Sequence, residues 1–397
     1  MFIYVEDYLR IKNIDEQELK GNTVNTGTTL EGFNSTKESY IIPTLPLTID
    51  LESKEVLKKA NEAARALAEL KGVVASLPRP GILLNTLSLQ EAKDSSAIEN
   101  IITTHDELYQ SDTTINHFTS IAAKEVHSYD LALKEGFEKV KNTGFLTSKH
   151  ILSIQERLEG NDAGFRTQSG TALKNDYTGE IVYTPPQDYD QIVKHMKNLE
   201  LFMNENELSD WDPLIKMAVI HHQFESIHPF FDGNGRTGRI INILYLVKQG
   251  LLDTPILYLS RYINQNKSEY YHLLQAVREE KVWEKWVMFM LEGVEQTSHQ
   301  AINLVQNFKR LMLDHKSRIR SNLPKIYSQD LLNNLFSHPY TKISFLEKEL
   351  LIHRNTATKY LNQLVSLGIL TPHKIKNEVF YINHELLDLF SNVTTNQ

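Results

Sequence analysis

Apolar residues recur at helical spacing through most of the chain. From Glu52 to Leu70, Val56, Leu57, Ala60, Ala63, Ala64 and Leu67 follow one another at such intervals, which predicts an amphipathic helix stopped by Gly72. Leu77-Pro78-Arg79-Pro80-Gly81 breaks the chain, and Ser88-Leu-Gln-Glu91 has capping-box spacing for a new helix running towards Asn100. Helices are expected from about Thr119 to Val140, from Thr147 to Leu158, and from Asp212-Pro213 towards Ile227, where Pro229 ends the pattern. Another opens after Gly235 and stops at Gly250, and long helical patterns fill roughly 267–320. Two stretches differ. Residues 21–50 are rich in Thr, Asn, Gly and Ser with no helical period and read as an extended connector, while 164–186 carries two short β-prone runs around Asp176-Tyr-Thr-Gly179, a hairpin. Beyond 330 come two short helices, a third from about Asn355 to Leu367, and an alternating strand pair containing Tyr381.

Composition narrows the chemistry. At 397 residues, with 41% hydrophobic and 23% charged, the chain has room for two or three packed domains. With no cysteine there is no disulfide, thiolate nucleophile or Cys-ligated metal, so catalysis falls to oxygen and nitrogen groups. The balance of 42 Lys+Arg against 50 Asp+Glu, a net charge of −8, argues against broad nucleic-acid binding. The acidic N-terminus and the short apolar runs predict a cytoplasmic chain with no membrane contact.

The chemistry concentrates in His228-Pro-Phe-Phe-Asp-Gly-Asn-Gly-Arg-Thr-Gly-Arg239, between two predicted helices. Glycines on either side of Asn234 allow backbone angles closed to other residues, turning N–H groups into an anion nest that the next helix dipole reinforces. Arg236 and Arg239, three apart, can project into it together. Asp232 is the hard oxygen ligand expected for Mg²⁺ beside a polyphosphate, and His228 is the only nearby group whose unperturbed pKa lies near neutrality. Gly233-x-Gly235-x-x-Gly238 formally matches a dinucleotide fingerprint, but it follows a helix rather than a strand. His221, His222, Glu225 and His228 lack the spacing of a helical zinc site, so His221 and His222 read as helix packing or support for the site. There is no Walker A sequence.

His228 to Arg239 matches the Fic family pattern H-P-F-x-D/E-G-N-G-R-x-x-R at every specified position, and the chain resembles that family. The resemblance implies a mainly α protein with a Fic helical core, a short β-hairpin flap, an N-terminal helical region and a C-terminal winged helix. It implies transfer of AMP from ATP, with Mg²⁺, to a Ser, Thr or Tyr hydroxyl of a target protein and of the chain itself. His228 would be the general base and Asp232 the metal ligand. Gly233, Asn234 and Gly235 would cradle the α-phosphate, Arg236 and Arg239 would bind the outer phosphates, and Thr237 and Gly238 complete the nucleotide-binding run. Gly164-Phe-Arg166 and Ile181-Val-Tyr-Thr-Pro-Pro186 resemble the flap, which can align a target by strand addition. Ser260-Arg261-Tyr262 and Ser268-Glu-Tyr-Tyr-His272 resemble segments that follow the family loop. Tyr270 and Tyr271 there either border the base or are core aromatics. Some relatives place Asn seven residues after the second Tyr, where this chain has Arg278.

Ser95-Ser-Ala-Ile-Glu99-Asn100 resembles the family's inhibitory pattern of Ser or Thr, three residues, Glu, then Gly or Asn. It implies that Glu99, steadied by Ser95 one helical turn away, occupies Arg239 and excludes the γ-phosphate. Ile343 to Leu370 resembles a winged helix-turn-helix with Arg354, Thr356 and Lys359 on its third helix and Lys374 and Lys376 on a wing. From 341 to 397 there are six Lys/Arg and five Asp/Glu, so DNA contact through 341–382 and a dimerisation or target-docking role stay open, a homodimer among them. The organisation expected is an N-terminal region with the inhibitory helix at 1–115, a catalytic core with trailing helices at 116–320, and the winged-helix-like unit at 321–397. Three other activities stand as alternatives: a DNA-binding regulator sensing nucleotide, removal of AMP from modified proteins, and transfer of another nucleotide.

Overall fold

The computed structural model describes residues 2–3, 40–77, 79–111, 118–175, 178–375 and 378–391. Residues 21–39 of the expected connector, Asp176 and Tyr177 of the hairpin turn, and Lys376 of the wing lie outside the described residues. Ser53 starts α1 (Lys54–Ala75) by accepting the Val56 N–H, and the helix runs past Gly72. That glycine meets open space and bears no turn, while Val74 beyond it is buried. Helix α2 (Pro80–Ile98) begins at its first-turn proline, so the capping box expected at Ser88 does not exist. Ser88 and Glu91 are instead buried mid-helix, where Ser88 donates to Asp130 and Glu91 accepts from Tyr129 and Ser260. A capping box does form on α3 (His105–Gln110), between Thr104 and Glu107.

Helices α4 (Ile121–Thr143) and α5 (Ser148–Glu159) are capped by Ser120 and Thr147 and closed by the left-handed Gly144 and Gly160. After α6 (Tyr189–Asn204) come the two helices that flank the motif, α7 (Pro213–Ile227) and α8 (Asn234–Lys248). Asp212 caps α7, its side chain accepting the Leu214 N–H at 2.8 Å. Leu214 to Ile227 are all buried, which makes α7 the axis of the fold rather than a surface helix. Helices α9 (Leu259–Gln265), α10 (Lys267–Glu280) and the 40-residue α11 (Trp283–Asn322) wrap this pair. Trp286 anchors α11 by donating its indole N–H to Ala218 O at 2.8 Å, and α11 packs along α1.

The hairpin is present. Strands β2 (Leu173–Asn175) and β3 (Ile181–Tyr183) pair antiparallel, Leu173 opposite Tyr183, with an irregularity before Lys174. A strand not expected from the sequence, β1 (Phe2–Ile3), pairs with the outer edge of β2, Ile3 opposite Lys174. The C-terminal unit runs α12 (Gln329–Ser337), β4 (Tyr340–Thr341), α13 (Ile343–Leu350), α14 (Arg354–Ser366), β5 (Thr371–Ile375), β6 (Glu378–Ile382) and α15 (His384–Ser391), with sheet order β4-β6-β5. Tyr340 stacks on Tyr109 of α3, centroids 6.1 Å apart, joining this unit to the N-terminal region. One hydrophobic core extends from Ile42 to Phe390. The architecture is mainly α with two small antiparallel sheets. No helix among the described residues is long and apolar enough to cross a membrane.

Candidate active site

The motif forms the turn between α7 and α8. His228 ends α7 in the left-handed region (φ 49°, ψ 61°), and Asn234 holds the turn by accepting the Phe230 N–H at 2.9 Å and donating to Phe230 O at 2.8 Å. Arg166, wholly buried, braces the same turn: its Nε donates to His228 O and its backbone N–H to Pro229 O, both at 2.9 Å, and it also reaches Pro186 O. Burial, with Arg166 and Arg278 nearby, pushes the His228 imidazole down to about 3, so the ring is neutral at physiological pH. Asp232, partly exposed, accepts the Gly233 N–H at 2.7 Å.

The two motif glycines serve different ends. Gly233 (φ 76°) makes the left-handed turn into α8, whereas Gly235 is helical, which corrects the expectation that both supply special angles. Gly235 is required by close approach: a Cβ there would lie 2.5 Å from Glu99 Oε1 and 2.9 Å from Arg239 Nη1. Gly238 packs inward against Phe224, Glu225 and His221, and Thr237 is fully buried. Both hold α8 on α7.

The arginines are heavily paired. Arg239 donates from Nε to Ser95 Oγ at 2.7 Å, and from Nη2 to Ser95 O at 3.1 Å and Glu99 Oε1 at 2.6 Å. Glu99 Oε2 also lies 2.9 Å from Arg236 Nε. The remaining nitrogens of Arg236 face Glu125 (Nη1, 3.2 Å) and Glu159 (Nη2, 2.9 Å). Burial alone would raise the Glu99 carboxyl, but Arg239 and Arg236 outweigh it and hold Glu99 below the usual carboxylate range. Ser95, expected to steady Glu99, binds Arg239 directly. Glu99 is the C-cap of α2, and the following Asn100 takes φ 64° to turn the chain away.

Beside this cluster lies a cleft enclosing about 60 Å³, lined by Glu99, Gly235 and Arg239 at one end, Tyr270, Tyr271 and Arg278 of α10 along a wall, and Val182 and Tyr183 of the hairpin opposite. Glu99, paired with Arg239, takes up the arginine end of this cleft. Tyr270 is 1% exposed and its hydroxyl meets His221 Nε2 at 2.8 Å, while Tyr271 is partly open to the cleft. His222 Nε2 meets Leu274 O at 3.2 Å, so both histidines are engaged in packing α7 against α10. Sequence reasoning missed Glu125, Glu159 and the bracing by Arg166 and Arg278. Glu125 and Glu159 sit in ordinary helices with no local motif, and only tertiary packing brings them to Arg236.

Three family models match successive stretches: the Fic/DOC family N-terminal model at residues 57–138, the Fic/DOC family model at 145–246, and the model "Protein adenylyltransferase SoFic-like, C-terminal domain" at 311–386. A protein adenylyltransferase Fic of Drosophila erecta is 28% identical over 174 residues, covering 44% of this chain and 33% of the relative. That of Drosophila ananassae is 29% identical over the same length and shares. The chain thus spans about a third of the length of the curated relatives it matches. Among solved structures, a Fic family protein from Desulfovibrio desulfuricans shares the fold over 85% of this chain and 97% of its own, at 20% identity and a TM-score of 0.54. From the motif, the fold and these matches, the chain belongs to the Fic/DOC family.

Proposed function

We propose that this protein transfers AMP from ATP to a hydroxyl side chain of a target protein and of itself, and that Glu99 holds it latent. The observation that carries the reading is the Glu99 carboxylate bridging Arg239 and Arg236 against Gly235, at the N-terminus of α8. An anion already sits where a helix N-terminus and two guanidinium groups would receive a polyphosphate.

In the reaction, the hydroxyl oxygen bonds to the α-phosphorus, the bond to the pyrophosphate oxygen breaks, and the hydroxyl proton passes to the His228 ring. The neutral imidazole can accept that proton, and nucleotide phosphates beside it would raise its basicity from the low value set by burial. Arg166 fixes the His228 backbone, so the ring approaches from one direction. The guanidinium groups of Arg239 and Arg236 offset charge on the outer phosphates once Glu99 withdraws. Asp232, a partly exposed carboxylate, offers the hard oxygen donor that Mg²⁺ takes and would hold the ion there. The ion would supply charge neutralisation on the phosphates. Tyr271 would border the base, and the β2–β3 hairpin would receive the target backbone.

The test is incubation of the Glu99→Gly variant with ATP labelled at the α- or the γ-phosphate, with and without a protein lysate. The reading predicts protein-bound label from the α position and none from γ. Label from γ alone, or from neither, would overturn it.

A further inference from the structure

Arg278, in the last turn of α10, is 8% exposed, and among the described residues no carboxylate lies within ion-pairing distance of it. A buried guanidinium whose neighbouring acid, Glu225, acts on it only from beyond ion-pairing distance is costly, so what it touches matters. Its Cζ lies 3.9 Å from the centroid of the Tyr183 ring on β3. Nε donates to Ser226 Oγ at 3.2 Å, Nη1 to Gln275 Oε1 at 3.3 Å and Nη2 to Glu225 O at 3.4 Å. Tyr183 returns to the same place from the other side, its hydroxyl donating to Ser226 O at 2.7 Å. Ser226 stands two residues before His228.

This contact, with the Tyr40 ring meeting Tyr183 edge-on at 6.2 Å, attaches β3 to the core. Along β3 the side chains go from exposed at Ile181 to buried at Tyr183, and the strands themselves are three residues long, too short to hold a position alone. A planar cation stacked on an aromatic face and desolvated on its other sides is at the strong end of such contacts, and lysine cannot reproduce the fork.

We propose that Arg278 is a positioning residue that staples the hairpin to the end of α7, fixing the distance between a target backbone lying on the hairpin and the His228 ring. The inference rests on the reading that the hairpin receives the target. It assigns to Arg278 a role in placing the target rather than in holding the nucleotide.

The experiment measures hydrogen exchange of the 173–183 amides in the full chain, for wild type, Arg278→Ala, Arg278→Lys and Tyr183→Leu, and self-modification kinetics with each change added to Glu99→Gly. Exchange should rise about tenfold in all three variants, lysine included. The self-transfer rate at saturating ATP should fall about tenfold while KM for ATP stays within about twofold. The pair Arg278→Ala with Tyr183→Leu should be no worse than the more severe single change. Tyr183→Leu removes the staple without deleting a buried charge, and so decides the matter if Arg278→Ala fails to fold. Unchanged exchange in these amides, or a raised KM for ATP with the hairpin still protected, would overturn the proposal. If Glu99→Gly alone incorporates no AMP, the reading of function falls, while the exchange result still decides the staple.

Discussion

The two ends of the cleft are built on opposite terms. At the arginine end, two arginines at most 3% exposed are met by Ser95 and by carboxylates from three helical segments, so the guanidinium groups are already paired within the chain. At the hairpin end, three-residue strands stand on the surface, with Ile181 59% exposed, and Tyr183 ties them to Arg278, Tyr40 and Ser226 O. Charge defines the nucleotide end and leaves little room for variation. Under the proposed function the hairpin end offers backbone edges that an extended target segment can pair with, so its selectivity would come from placement. The chain's own β1 already lies on the outer edge of β2, which shows that the edge accepts a strand.

The comparison breaks most sharply at His228. His228→Ala should cut AMP transfer about a thousandfold in the Glu99→Gly background while calorimetric ATP affinity changes little, since the ring acts on the attacking hydroxyl. Retained turnover would remove His228 from the chemistry. Lys174→Pro tests the other end, because Lys174 pairs with both Ile181 and Ile3. Transfer should fall about tenfold with ATP binding intact. Equal loss of ATP binding would make the hairpin part of the nucleotide pocket.

Two smaller effects sharpen the phosphate end. Glu99→Gly leaves Arg239 without its carboxylate, so its melting temperature without ligand should drop by several degrees, and ATP should raise it more than in wild type. Glu225, fully buried beside Gly238, is pushed up to about 7 by burial despite Arg239 nearby. A raised carboxyl binds more protons folded than unfolded, so its share of stability is present at pH below about 4.5 and lost as pH rises towards 7. Thermal scans from pH 5 to 8 should show that loss in wild type and a flatter profile in Glu225→Gln. Parallel profiles would assign the slope to other groups.

The catalytic turn was legible because its residues are consecutive and each needs a particular chemistry. Ser95 and Glu99 were legible as a pattern, although Ser95 turned out to bind Arg239 rather than Glu99. The long helices were legible from spacing, but their ends were not: Ser88 and Glu91 satisfy each requirement of a cap yet lie mid-helix, because burial on α4 and α9 gave their side chains other partners. Glu125, Glu159 and the Tyr183–Arg278 contact left no trace in local sequence. Each joins segments dozens to more than a hundred residues apart, and nothing in a helix's own periodicity records which charge it delivers to a neighbour.

Under the proposed function, a carboxylate and a phosphate compete for one guanidinium fork, that of Arg239. The most direct measurement is AMP incorporation by wild type, Glu99→Gly, Arg239→Ala and the double variant at saturating Mg²⁺-ATP. Glu99→Gly should exceed wild type by about tenfold or more, and the same change in the Arg239→Ala background should give no gain, because the contested group is gone. Equal incorporation by wild type and Glu99→Gly would contradict the account.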